Sequence, residues 1–166
     1  RAEDPAFCFI SPKGLHKGAE EFTPLKVRIK DGEWEEFNRQ EHLAPSSETG
    51  MHLAVYRNCP TINAIIHAHP KMAIVCSLIG ADFDEAPLEE AEAVACMPYA
   101  PAGSEDLARG VAGRVIDNYF LIVIAKHGAV TVGKTMREAF NRMEMLENHA
   151  EILYLTNLAR LERKFR

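Results

Sequence analysis

Several features that would place the 166-residue chain in a specialised class of protein are absent. It has no run of 18 apolar residues, so we expect no transmembrane helix. Residues 1–5 lack the basic-then-apolar layout of a signal peptide and an initiator Met, so we expect part of the N-terminus to be missing. An excess of basic residues is also absent, because 19 Lys and Arg stand against 24 Asp and Glu, a net charge of −5. This balance argues against nucleic acid or an anionic membrane as main partner.

Cysteine is scarce, and no CxxC motif occurs. The four cysteines are widely separated, at positions 8, 59, 76 and 96. Cys8 and Cys76 lie in apolar stretches, where cysteine behaves as a small hydrophobic residue. We interpret all four as reduced core thiols of a cytoplasmic protein, with a disulfide as the alternative.

The features that are present are those of one globular domain. Hydrophobic residues make up 47% of the chain, within the usual range for globular proteins. The length fits a single domain over residues 1–166. A domain of this size buries about 68–70% of its unfolded surface, which is enough for a substantial core.

Predicted strands and helices alternate along the chain. Apolar runs predict strands near residues 7–10, 27–29, 34–37, 63–69, 93–96, 120–125 and 130–132. Helices are expected to begin at Ser46 or Ser47, at Pro70, at Ser104 and at the capping box of residues 135–138. The last helix keeps its apolar period for nearly thirty residues, and Asp31-Gly32 predicts a hairpin. This order predicts an α/β or α+β class with a central sheet.

Histidine is the most informative residue type. His67 and His69 end a predicted strand, and residues two apart on a strand point to the same face, so both imidazoles can reach one metal ion. His127 follows the apolar strand 120–125 and precedes Gly128, which permits a sharp turn. Three histidines and an open position make a catalytic zinc arrangement. The alternatives are histidines at the surface or the core edge.

Two segments suit an anion such as phosphate. Ser46 and Ser47 place two hydroxyls at a predicted helix N-terminus, with free amides behind them. Glu48 would be a general base beside a metal, and the alternative is ordinary capping with an acid that compensates the helix dipole. Backbone amides of residues 11–14, with the Lys13 charge, could also face a phosphate, and the alternative is a plain turn.

Four further histidines have no place in this site. His52 follows Glu48 by one helical turn and could orient it, with packing or solvent exposure as the alternative. His16 and His42 are expected in surface loops. His149 is expected to be solvated or at an interface of the long helix.

Six stretches, taken in order, resemble the class II aldolase/adducin family over nearly the whole chain. They are residues 10–14 (ISPKG), 45–48 (PSSE), 51–52 (MH), 63–69 (NAIIHAH), 97–101 (MPYAP) and 126–128 (KHG). The long C-terminal helix also fits. Each motif is nonspecific alone, and the signal lies in their order and spacing.

The resemblance implies a role for eight residues. It implies metal ligands at His67, His69 and His127, an acid/base residue at Glu48, and phosphate-binding residues at Ser46, Ser47, Lys13 and Gly14. The implied cofactor is Zn²⁺, with Mn²⁺, Fe²⁺ or Co²⁺ as alternatives. The implied fold is a three-layer α/β/α sandwich around a largely antiparallel central sheet, assembled as a homotetramer with sites near subunit boundaries.

The implied reaction is retro-aldol cleavage of a small phosphorylated ketose through a metal-stabilised enediolate. The alternatives are a decarboxylase, dehydratase or epimerase of a related sugar phosphate on the same site, or a non-catalytic adducin-like module. Glu48 favours the aldolases, since the epimerases carry Asp there. Two departures from the family pattern stand out. No Gly-Asn pair precedes Ser11, and residues 81–96 contain no Tyr and are acidic instead.

Overall fold

The computed structural model describes residues 1–14, 23–35, 44–85 and 92–164. The strands in these ranges form two sheets. The first is antiparallel and contains β1 (Phe7–Ile10), β2 (Leu25–Arg28) and β3 (Trp34–Glu35) in that order. The second contains β4 (Ala64–Ala68), β5 (Val94–Met97), β6 (Leu121–Ile124) and β7 (Gly128–Gly133), in the order β4-β7-β6-β5. Only β5 and β6 of these described strands pair in parallel, so a largely antiparallel sheet is confirmed.

Helices cover both faces of the four-stranded sheet, which confirms the three-layer α/β/α sandwich. They are α1 (Thr49–Asn58), α2 (Lys71–Ile79), α3 (Glu105–Ile116) and α4 (Met136–Lys164), with a 3₁₀ turn at Phe83–Glu85. One core packs α1 and α3 against the sheet, and a second packs α2 and α4. Strand β6 is buried along its whole length because its alternate side chains enter different cores. Ile122 and Ile124 enter the core of α1 and α3, and Leu121 and Val123 enter the core of α2 and α4. None of the helices described is long and apolar enough to span a bilayer.

Two of the predicted helix starts are formed by the expected capping groups. Ser104 is the N-cap of α3, and its hydroxyl accepts a hydrogen bond from the amide of Leu107 at 3.1 Å. At the start of α4, the Thr135 hydroxyl accepts from the amide of Glu138 at 3.1 Å. The Glu138 carboxylate turns back one residue further than in the standard capping box and accepts from the amide of Lys134 at 2.7 Å.

The start of α1 differs from the prediction, because neither Ser46 nor Ser47 is its N-cap. Glu48 occupies that position and its side chain makes no capping hydrogen bond. The Ser46 hydroxyl instead accepts from the amide of Glu48 at 3.2 Å, and the Ser46 carbonyl accepts from the amide of Thr49 at 3.0 Å. The serines therefore shape the turn before the helix.

Two other expectations need correction. Cys8, Cys59 and Cys76 are buried free thiols as expected, but Cys96 is exposed on β5. His149 is only 3% exposed and packs edge-to-face on Phe83, with ring centroids 5.8 Å apart. It belongs to the core because its face of α4 is turned toward the 3₁₀ segment. The predictions for His16 and His42 lie outside the described residues.

Candidate active site

Three histidines from two neighbouring strand ends converge on one point. His67 is the fourth residue of β4, His69 follows the strand directly, and His127 immediately precedes β7. Their ring centroids are 5.1, 5.2 and 5.7 Å apart. One ligand nitrogen from each ring lies within 4.8 Å of the others. A divalent cation can span that spacing with small side-chain shifts, because zinc–imidazole bonds are about 2.0–2.1 Å long.

Backbone carbonyls orient two of these rings. His67 Nδ1 lies 3.0 Å from the carbonyl oxygen of Ala129, and His127 Nδ1 lies 3.2 Å from that of Ala100. A carbonyl only accepts hydrogen bonds, so each Nδ1 carries the proton and each Nε2 presents a lone pair. The Nε2 atom of His67 is buried and has no partner among the described residues. An orphaned, unprotonated nitrogen in a histidine cluster fits a metal ligand.

Burial keeps the central imidazole neutral. Desolvation, with smaller contributions from the nearby His52, His69 and His127, lowers the pKa of His67 to about 3. The hydrogen bond to Ala129 opposes these effects. A neutral imidazole is the form that binds a metal, so protons do not compete for this position near pH 7.

The turn that delivers His127 is built differently from the sequence prediction. Lys126, not Gly128, adopts the left-handed conformation, with φ of 61°. Gly128 instead provides space. A Cβ atom there would lie 2.5 Å from the Ala68 carbonyl oxygen and 2.7 Å from Cδ2 of His69. The absence of a side chain at residue 128 therefore lets the two strand ends approach closely enough for the histidines to meet.

Glu48 is a buried carboxylate in the same region. It is 5% exposed. The Ser47 hydroxyl donates to its Oε1 at 3.4 Å, and the amide of Gly103 donates to its Oε2 at 3.4 Å. Both contacts are long, so the carboxylate is held in place by weak donors and keeps acceptor capacity for a ligand.

A paired loop brings the two predicted anion-binding segments together. Pro12 and Pro45 form an isolated antiparallel bridge, and the amide of Lys13 donates to Ala44 at 2.8 Å. The amide of Ser46 donates to Ser11 at 3.1 Å. The amides of Lys13 and Ser46 are thus used within the protein and are not free to bind an anion.

All eight residues expected at the site line one cavity of about 430 Å³. The other lining residues are Ser11, Pro12, His52, Ile65, Ile66, Ala102 and Met136. The sequence suggested that His52 could orient Glu48, with packing or solvent exposure as the alternative. It lies in the cavity wall, where burial lowers its pKa to about 4. The amide of His52 donates to the Glu48 carbonyl at 3.2 Å, whereas its imidazole makes no hydrogen bond within the described part of the chain.

Sequence reasoning missed the backbone that supports these side chains. The segment 97–101 was singled out only for its resemblance, yet the carbonyl of Ala100 holds His127. Gly103, two residues beyond that segment, donates to Glu48. Its φ of 71° is left-handed, and a Cβ there would lie 3.1 Å from the Ser47 carbonyl oxygen. Proline-flanked loops with a following glycine are a sequence signal for this kind of turn.

Several known proteins are similar to this chain. The family model for the class II aldolase and adducin N-terminal domain matches residues 1–154. L-fuculose phosphate aldolase of Methanococcus maripaludis is 37% identical over 119 residues, covering 68% of this chain and 63% of that protein. The 3-oxo-tetronate 4-phosphate decarboxylase of Escherichia coli is 32% identical over 153 residues, covering 87% and 69%.

Solved structures agree with these relationships. L-fuculose-1-phosphate aldolase from Thermus thermophilus superposes with a TM-score of 0.68 at 25% identity, covering 92% of this chain and 78% of that one. The match to the Methanococcus relative spans less than two thirds of that protein's length.

Proposed function

The chain belongs to the class II aldolase and adducin family, and we propose that it is a metal-dependent lyase that cleaves a small phosphorylated ketose by a retro-aldol step. One observation carries the proposal. The buried carboxylate of Glu48 shares a single cavity with the three converging histidines and with both anion-binding segments. A structural module has no need to keep a buried acid in one cavity with three converging histidines.

His67, His69 and His127 would hold the metal, for which we propose Zn²⁺, with Mn²⁺, Fe²⁺ or Co²⁺ as alternatives. Three imidazoles with one position left for substrate match catalytic zinc sites. A divalent ion there acts as a Lewis acid on a substrate carbonyl. The carbonyls of Ala129 and Ala100 fix the ligand rings beforehand, so little reorganisation is needed on binding.

Glu48 would move the proton that the reaction requires at the substrate carbon whose bond is broken. Its low exposure limits the access of water to that proton. The Ser47 hydroxyl and the Gly103 amide would keep the carboxylate directed into the cavity. General acid–base catalysis by a positioned group contributes about 10²–10⁴-fold in rate.

The substrate phosphate would bind away from the reacting bond, at Ser46, Ser47, Lys13 and Gly14. The amides of Gly14 and Ser47 donate to no residue in the described ranges and both residues line the cavity. The exposed ammonium of Lys13 adds a positive charge. Binding energy from this remote group can be used to orient the ketose.

A decarboxylase is the second candidate. The Escherichia coli relative is named 3-oxo-tetronate 4-phosphate decarboxylase, and its match covers 87% of this chain at 32% identity. Loss of CO₂ and retro-aldol cleavage both leave electrons beside a carbonyl, so the same residues serve either reaction. A dehydratase or an epimerase would also use them, and a non-catalytic module would use none.

The deciding experiment offers purified protein a panel of ketose phosphates and 3-oxo acid phosphates, with Zn²⁺ or Mn²⁺ supplied. Dihydroxyacetone phosphate and an aldehyde as products would support the lyase, and CO₂ would support the decarboxylase. Turnover of neither class, with one metal bound per chain, would contradict both enzymes. Absence of bound metal would remove the site assignment as well.

We also propose that residues 1–166 form one domain of a cytoplasmic homotetramer whose sites lie near subunit boundaries. Exposed apolar residues on the second half of α4 support self-association, since Leu155 is 54% and Leu161 53% exposed in the single chain. Light scattering at micromolar concentration measures the assembly, and a monomer at all concentrations would contradict it.

A further inference from the structure

Helix α2 begins directly after the metal-site histidines and lacks a cap of its own. Its N-cap residue is Pro70, which makes no side-chain capping hydrogen bond, and its first turn contains no acidic residue. The first backbone hydrogen bond of the helix runs from the amide of Ile74 to the carbonyl of Pro70 at 3.1 Å. The amides of the residues in between must find acceptors outside the helix.

Glu147, on helix α4 and distant in sequence, supplies acceptors for two of these three amides. The amide of Met72 donates to both carboxylate oxygens of Glu147 at 2.9 Å, and the amide of Ala73 donates to Oε2 at 3.0 Å. A carboxylate at this position also meets the positive end of the helix dipole. Charge-assisted hydrogen bonds of this kind are about twice as strong as neutral ones. The contact ties α4 to the first turn of α2.

This contact is placed where it controls His69. On one side of His69, Ala68 is fixed in the sheet by pairing with Ala129. On the other side the chain passes through Pro70 into the turn held by Glu147. His69 lies outside both regular elements, so its backbone position is set by where the strand ends and where the helix starts.

We propose that Glu147 is a positioning residue for the metal site, acting by fixing the start of α2 and hence the imidazole of His69. The inference rests on the proposed function, because it takes His69 to be a metal ligand. It adds a residue from α4, which contributes no histidine to the cluster, and it predicts that metal affinity depends on an interaction between two helices.

Titration with Co²⁺ tests the proposal, because its d–d absorption reports both affinity and ligand geometry. We expect Glu147→Ala to bind Co²⁺ roughly tenfold more weakly, at the lower end of the range for groups that support metal ligands, and to change the absorption envelope. Glu147→Gln keeps an acceptor oxygen but loses the charge, so an intermediate affinity is expected. Glu147→Gln can still be used to test the proposal if Glu147→Ala does not fold.

Two controls separate positioning from general stability. Glu144 is exposed on α4 one turn earlier, so Glu144→Gln should leave Co²⁺ binding unchanged. Cys76, whose thiol donates to the Ala150 carbonyl at 3.2 Å, packs α2 on α4 away from the first turn. Cys76→Ala should therefore lower stability without changing the Co²⁺ spectrum.

The outcomes are distinguishable. If the wild-type chain binds neither Co²⁺ nor Zn²⁺, the proposed function fails, and the inference fails with it. If wild type binds Co²⁺ and both Glu147 variants bind it with unchanged affinity and spectrum, only the inference is overturned. Equal weakening by Cys76→Ala would also overturn it, because the effect would then follow helix packing and not the cap.

Discussion

Gly128→Ala is the sharpest test of how the site is assembled. The added methyl group would lie 2.5 Å from the Ala68 carbonyl oxygen, 2.7 Å from Cδ2 of His69 and 3.3 Å from Cε1 of His67. The first neighbour is backbone of the paired strand and cannot rotate away. The substitution therefore acts on the separation of β4 and β7 at the point where all three histidines meet.

The expected size follows from these distances. Restoring an ordinary contact of 3.4 Å to Ala68 requires a movement of about 0.9 Å. Overpacking of this kind costs about 1–3 kcal/mol of unfolding free energy. The same movement displaces the rings of His67 and His69, so we expect metal affinity to fall by roughly 10–100-fold, as for other losses of ligand orientation.

Urea denaturation and Zn²⁺ titration by competition with a chromogenic chelator measure the two effects. Gly113→Ala is the matched control, because a Cβ there meets nothing within 4 Å outside its own helix turn. It should stabilise α3 by roughly 0.5–1 kcal/mol and leave Zn²⁺ binding unchanged. Wild-type metal affinity in Gly128→Ala would refute the claim that this glycine sets the distance between the histidine-bearing strands.

Three further predictions concern the acid, the neutral histidines and the last helix. Glu48→Gln should keep its metal and lose at least 10²-fold in turnover, whereas Glu144→Gln should match wild type in both measurements. In the metal-free protein, prepared with a chelator, burial holds the pKa of His52 near 4 and that of His67 near 3. As the pH falls below 6.5, these histidines are therefore protonated in the unfolded chain before they are protonated in the folded chain. Between pH 6.5 and 4, the unfolding free energy should fall by up to about 1.4 kcal/mol per pH unit for each histidine. Urea denaturation of His52→Gln should show a shallower fall, and an unchanged slope would contradict its neutral burial. Thr135→Ala should lose about 1 kcal/mol in the same assay, since it removes the hydroxyl that caps α4.

Local rules predicted much of the fold because the signals were local. The Asp31-Gly32 turn joins β2 and β3 as expected, with φ of 83° at the glycine. Ser104 caps α3, and the uninterrupted apolar run of β6 is buried on both faces. In each case the predictive signal is a short stretch of neighbouring residues, so it can be read without knowing the tertiary contacts.

What escaped prediction depends on contacts between distant residues. The apolar periodicity of α4 did not predict the burial of His149, because that burial depends on contact with Phe83, which lies 66 positions earlier in the sequence. The role of Gly128 as an open space, and not as a turn residue, becomes visible only when Ala68 is brought beside it. In the same way, no rule about helix starts predicts that α2 is capped by Glu147.

Groups local to the cavity would let a chain with a net charge of −5 hold the proposed cation and anionic substrate together. Charges of the whole molecule act through water and are screened within about 10 Å at 0.1 M salt. The groups that line the cavity act at contact distance. The buried Nε2 atom of the neutral His67 has no partner in the described structure, at a cost of about 1–3 kcal/mol. A bound cation would remove that cost and supply positive charge in the cavity that Lys13 lines, together with the amides of Gly14 and Ser47 that have no acceptor among the described residues. Cation and anion binding are then expected to reinforce one another, whatever the sign of the total charge.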